Sequence, residues 1–154
     1  MTRAALALLL VATPVLAQRQ PGWEVRAPER VDVIAGTNGA IAISIAVDRG
    51  LTVSRDASVI VDLVAPPGVI IRKKRLGRHD AVDPEADAPR FAATVRGETV
   101  GTHTVGIRVR FWVCGGKACR PVDVRRSAQL AVSEAPQVPV MPPEAKTPPK
   151  PQSP

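Results

Sequence analysis

From Thr104 to Cys114 every second residue is apolar: Val105, Ile107, Val109, Phe111 and Val113 share one parity, and Gly106, Arg108, Arg110, Trp112 and Cys114 the other. A period of two belongs to a strand, because a helix cannot place alternate residues on one face. After Cys119 the alternation resumes in Val122, Val124, Ala128, Leu130 and Val132, interrupted only by Arg126. Cys119, Pro121, Asp123 and Arg125 take the opposite parity. Gly115-Gly116-Lys117-Ala118 stands between the cysteines and reads as the turn of a hairpin.

Folding the ribbon so that Cys114 opposes Cys119 fixes every other pairing. Phe111 meets Val122 and Val109 meets Val124, while on the other face Arg110 meets Asp123 and Trp112 meets Pro121. Core residues oppose core residues and a cation opposes an anion; only Arg108 against Arg125 is unfavourable. Directly opposed residues have Cα atoms roughly 4.5 to 5.5 Å apart, inside the window of about 4.4 to 6.8 Å that a disulfide requires. The bond is therefore expected to form without moving the backbone. If the cysteines are a non-hydrogen-bonded pair, so are Trp112 and Pro121, and the missing N–H of proline leaves the ladder intact.

The same period recurs upstream. Ile41, Ile43, Ile45 and Val47 point one way and Ala40, Ala42, Ser44 and Ala46 the other; Val59, Val61 and Leu63 repeat the pattern, as do Phe91, Ala93 and Val95, closed by Gly97. The mature chain has no apolar residues at helical spacing over three turns. Short strands separated by Gly, Pro and Asp signals predict an all-β, immunoglobulin-like antiparallel β-sandwich, with a small β-barrel as the alternative. Its core must be built from Val, Ile, Leu and Ala, since aromatics make up 3% of the chain. Residues 72–89, rich in Lys, Arg, Asp and Pro, show no alternation and read as one long loop.

The two ends differ from this middle. Residues 1–17 have a basic start at Arg3, an apolar run and Val15-Leu16-Ala17 before Gln18, the three parts of a secretory signal cleaved after Ala17. The apolar run falls short of the roughly 20 residues that span a bilayer, so no stable membrane insertion is expected. Residues 134–154 hold half of the 16 prolines and read as an extended, disordered tail. The folded domain is thus expected within 18–133, in a periplasmic or secreted setting where two nearby cysteines pair.

The formal charge is +7, with Arg72-Lys73-Lys74-Arg75 and Arg78 concentrating part of it. An exported chain with so few aromatics for base stacking is not a nucleic-acid binder; anionic envelope components or an acidic partner suit it better, and a solvated loop is the plain account. His79 and His103 stand far apart with no other ligand at metal spacing, so no metal is expected. Asp80, Asp83, Glu85 and Asp87 lack a calcium-loop pattern and read as charge balance within the loop.

Two readings of the disulfide stay open on chemistry. The loop it closes is short, which by the chain-entropy estimate stabilises by only about 2 kcal/mol, little for a bond selected as a staple. Lys117 and Arg120 flank the pair and Arg110 lies on the same face, favouring thiolate and exchange, and the glycines beside Cys114 leave room for a foreign sulfur. The alternatives are an exchange-active pair and an inert brace in a noncatalytic envelope- or protein-binding module.

The stretch 101–132, above all Phe111-Trp112-Val113-Cys114-Gly115-Gly116-Lys117-Ala118-Cys119-Arg120-Pro121, resembles the N-terminal domain of the DsbD thiol:disulfide interchange proteins. The resemblance implies an immunoglobulin-like fold in which Cys114 and Cys119 are the catalytic pair, with Phe111, Trp112 and Pro121 packing or shielding them. It also implies electron transfer to periplasmic thioredoxin-like or disulfide isomerase proteins, without metal or organic cofactor. Family members keep the pair beneath a cap loop carrying an aromatic, which residues 72–89 lack. They also fuse this domain to a membrane region and a thioredoxin-like domain; here the expected donor is a separate membrane thiol reductase.

Overall fold

The structure is a computed structural model that describes residues 22–136. The predicted signal peptide at 1–17 and nearly all of the Pro-rich tail at 134–154 lie outside the described residues. Ten strands and one 3-10 turn make up the fold: β1 Trp23–Arg26, β2 Arg30–Ile34, β3 Asn38–Val47, β4 Leu51–Val53, β5 Ile60–Val64, β6 Val69–Ile71, β7 Arg75–Gly77, the turn Arg78–Asp80, β8 Arg90–Gly97, β9 Gly101–Gly115 and β10 Ala118–Ser133.

The alternating residues account for the longer strands. In β3, Ile41, Ile43 and Ile45 are buried while Ala42 between them is exposed and Ser44 half-buried. In β8, Phe91, Ala93 and Val95 are buried, and in β9 the full row from Val105 to Val113 is buried. A strand with one apolar face must lay it against a second such face. Two sheets do so here: a four-stranded sheet in the order β1-β3-β8-β6, and a six-stranded sheet that runs β2-β10-β9-β5-β7 with β4 paired alongside β9. In immunoglobulin lettering the first is A-B-E-D and the second contains C-F-G as β5, β9 and β10. The protein is an all-β, immunoglobulin-like sandwich.

Two details correct the sequence reading. The sandwich is not wholly antiparallel, because β2 joins β10 in parallel, with Gln129 beside Arg30 and Ser133 beside Ile34. Nor is 72–89 a plain loop. Within it β7 pairs with β5, placing Arg75 opposite Asp62, and the turn after it is held by the Asp80 carboxylate accepting the Gly77 N–H at 2.9 Å. Three residues cannot display a period, so the strand was invisible in the pattern.

Arg78 holds the rest of that segment. Its guanidinium donates to the carbonyls of Val53 and Ser54 at 3.1 and 2.9 Å and to those of Pro84 and Ala86 at 3.2 and 3.1 Å. The acidic residues balance charge partly outside the segment as well. Asp80 binds Lys73 at 2.5 Å, but Glu85 and Asp87 reach Arg55 at 3.6 and 3.2 Å.

Candidate functional site

The hairpin turn is two residues long, Gly116 and Lys117, between Gly115 and Ala118. Gly116 has φ +59° and, among the described residues, no residue other than glycine has positive φ. Positive φ at the first central position alone is the type II′ arrangement, whose twist matches that of the strands. Glycine there is what lets the turn close with the cysteines facing each other.

The register is the one the alternation dictates: Cys119 beside Cys114, Pro121 beside Trp112, Val122 beside Phe111, Asp123 beside Arg110 and Val124 beside Val109. The cysteines are bonded, with Cα atoms 4.0 Å apart, nearer than standard opposed residues. Gln129 donates its N–H away from β9, to the Glu29 carbonyl at 2.8 Å. The register holds without a bulge from Ala118 to Val132, so every odd residue of β10 aims its N–H outward and the cysteines are a non-hydrogen-bonded pair. Pro121 is odd too, and its missing N–H would have faced no partner strand.

The two sulfurs are not equally placed. Cys114 lies between β10 and β4, with Thr52 as its neighbour on the inner side, and is half-buried. Cys119 is on the outer edge of the sheet and exposed. The turn at 78–80 and the residues after it are fastened to β4, on the other side of β9 from Cys119.

The expected supporting cations are rearranged. Arg120 alternates with Cys119 and stands beside Val113, so it projects from the opposite face of the ribbon. Arg110 is on the correct face but four residues from Cys114, about 13 Å along the strand and beyond a Debye length at physiological salt. Its Nη2 donates to Asp62 Oδ2 at 2.6 Å. Lys117, exposed in the turn, is the cation left near the sulfurs.

Arg110 and Asp123 are adjacent but do not form an ion pair. Asp123 instead accepts from Arg108, with Oδ1 2.9 Å from Nε and Oδ2 2.5 Å from Nη2. This relieves the expected clash of Arg108 with Arg125 and holds the Asp123 carboxyl below its ordinary range. Asp62 is held low by its hydrogen bond from Arg75 first and from Arg110 second, against the opposing effect of burial. Asp62 and Thr52 are the site residues that the pattern did not single out. The signal for Asp62 was a lone carboxylate between Val61 and Leu63; Thr52, in a three-residue strand, offered none.

Phe111 does not shield the disulfide. It is buried and packs edge-on against Trp23, ring centroids 5.8 Å apart. Trp112, 41% exposed, and Pro121 stand beside the sulfurs on the outer face and line a shallow groove with Ser58, Ile60, Arg110 and Asp123. His79 contacts Asp80 at 3.1 Å, and His103 Nε2 lies 2.7 Å from the Thr99 carbonyl. Among the described residues no cluster of three metal-ligating side chains occurs.

Comparison with protein-family models gives no match, and comparison with curated proteins gives none. Among solved structures, murine CRIg is similar with a TM-score of 0.43 at 11% identity, over 73% of this chain and 98% of that one. The major subunit AggA of Escherichia coli aggregative adherence fimbriae type I gives 0.34 at 11% identity, over 72% and 93%. The CooA pilin subunit of enterotoxigenic Escherichia coli gives 0.34 at 12% identity, over 73% and 99%. It is the strand order, rather than these distant likenesses, that makes the sandwich immunoglobulin-like.

Proposed function

We propose that the chain is an exported thiol:disulfide exchange domain. Its Cys114–Cys119 disulfide takes two electrons from a membrane thiol reductase and passes them to periplasmic thioredoxin-like or disulfide isomerase proteins. The observation that carries this reading is a bonded pair at the free end of a ribbon, with Cys119 exposed on the sheet edge. A donor thiolate attacks Cys119 Sγ, the disulfide breaks, and the Cys114 sulfur leaves as thiolate beside Thr52. The donor's second thiol then attacks its own sulfur in the mixed disulfide and releases Cys119. Two thiols are oxidised in the donor and two formed here, and the donor's protons balance them. Delivery reverses these steps, with Cys119 attacking the acceptor disulfide and Cys114 resolving.

Equilibration with glutathione tests the reading, the expected potential lying above about −300 mV; a lower value marks a stable structural bond and overturns it. A Cys114→Ser variant should trap a mixed disulfide through Cys119 far more readily than Cys119→Ser traps one through Cys114.

A second reading rests on the displacement of Arg110 and Arg120 from the sulfurs, which leaves Lys117 to favour thiolate. On that reading the bond braces a noncatalytic envelope- or protein-binding module. Replacing both cysteines by serine separates the two: partner binding survives in the module, whereas electron transfer vanishes in the exchange domain.

A further inference from the structure

β2 covers the outer side of β10 only over residues 129–133. Over residues 119–127, about 30 Å of strand, β10 has no neighbour on that side among the described residues. The outward-aimed groups there belong to odd residues: both N–H and C=O are open at Cys119, Asp123 and Ser127, N–H alone at Arg125, whose C=O accepts from Arg126 Nη1 at 3.0 Å, and C=O alone at Pro121. This is an open ladder of the kind that accepts another strand.

Its charge is one-sided. Lys117, Arg120 and Arg125 make no ion pair among the described residues. Arg126 donates to the carbonyls of Val25 and Arg125 at 3.3 and 3.0 Å and keeps its charge unneutralised. The one carboxylate of the edge, Asp123, is bound by Arg108 at 2.5 Å, and Glu24, whose charge reaches Arg126, is bound by Arg26 at 2.6 Å. Arg125 lies toward the outer face and Arg120 and Arg126 toward the inner, with Lys117 in the turn at the end of the lane, so both faces of the lane are positive. Two copies of this edge would repel each other, whereas an acidic strand would be attracted.

We propose that the outer edge of β10 over residues 119–127 accepts an extended acidic segment of another protein as an added strand. The segment carries carboxylates at successive positions, since both of its faces meet cations. Strand addition itself does not require thiol exchange. Where the pair is exchange-active, the added strand lies alongside Cys119 and brings a partner thiol into range, and that consequence alone rests on the exchange reading.

A thiol-free peptide of glutamate pairs separated by single threonines, which sets carboxylates on both faces of the added strand, tests it on the intact domain, with a lysine-for-glutamate peptide as control. The acidic peptide should bind, the control should not, and amide hydrogen exchange at Asp123, Arg125 and Ser127 should slow. Arg120→Glu with Arg125→Glu should weaken binding at least about tenfold. Both positions tolerate the change, since Arg120 is exposed and Arg125 faces Arg108. Equal binding of both peptides, no binding, or binding that leaves those three amides unprotected overturns the proposal, as does self-association through this edge in light scattering. Because no thiol takes part, loss of exchange activity and loss of strand binding are read separately.

Discussion

Asp62 is held between two guanidinium groups, Arg75 Nε at 2.6 Å from Oδ1 and Arg110 Nη2 at 2.6 Å from Oδ2. Arg75 lowers the Asp62 pKa the most, but at 70% exposure that pair is screened, so its contribution to stability is discounted beside that of the less exposed Arg110. Asp62→Asn should therefore cost about 1 to 2 kcal/mol in urea unfolding near neutral pH. The folded-state pKa values of Asp62, Asp80 and Asp123 are depressed. Their stabilisation is thus complete above the ordinary aspartate value and is lost as pH falls through that value toward the lowered one. Stability should decline below about pH 5, and Asp62→Asn should flatten that decline. Gly97 makes a different kind of prediction. A Cβ built there meets both Val132 methyl carbons, at 2.3 and 3.0 Å, with its Cβ at 3.2 Å, and β-branched Val132 cannot turn aside. Gly97→Ala should cost about 1 to 3 kcal/mol by denaturant midpoint. At this scale the sequence disclosed which residues face inward, because parity is local. It could not disclose that Arg110 turns to Asp62 rather than Asp123, a choice made by a strand 48 residues away.

Among the elements, β9 and β10 were readable down to single pairings because two long alternating runs share one turn and a cysteine at each foot. β4, β6 and β7 were not, each being three residues long and held by partners distant in sequence. The parallel contact of β2 with β10 was hidden for the same reason, since it joins opposite ends of the domain. The segment after β7 has no continuous ladder; isolated backbone bonds at Val82, Asp87 and Pro89, Arg55 at Glu85 and Asp87, and above all the four carbonyl bonds of Arg78 hold it. Arg78→Ala removes its bonds to four carbonyls and should cost about 2 to 3 kcal/mol. Limited proteolysis should show new cleavage within 81–89 while the sheets stay intact. For the hairpin, Cys114→Ser with Cys119→Ser should cost only about 2 kcal/mol, because a loop this short constrains the unfolded chain little.

For the molecule as a whole, the disulfide joins neighbours on one ribbon and ties neither sheet to the other. Oxidised and reduced forms should share far-UV circular dichroism and a single cooperative transition, with Tm lower by roughly 5 to 15 °C after reduction. Two transitions, or loss of strand signal, would contradict that. The A-B-E-D and C-F-G order was legible only as a class, from short strands and frequent turns, since strand order is decided by contacts that no local pattern records. The path of the chain gives the molecule a polarity as well. Gly22 bonds to Asp48 close to Leu51, which lies beside Gly115, whereas Ser133 ends β10 roughly 45 Å of strand from Cys119. A dye, bead or fusion attached after Ser133 therefore leaves the sulfurs facing solution, and one placed ahead of Gly22 crowds them.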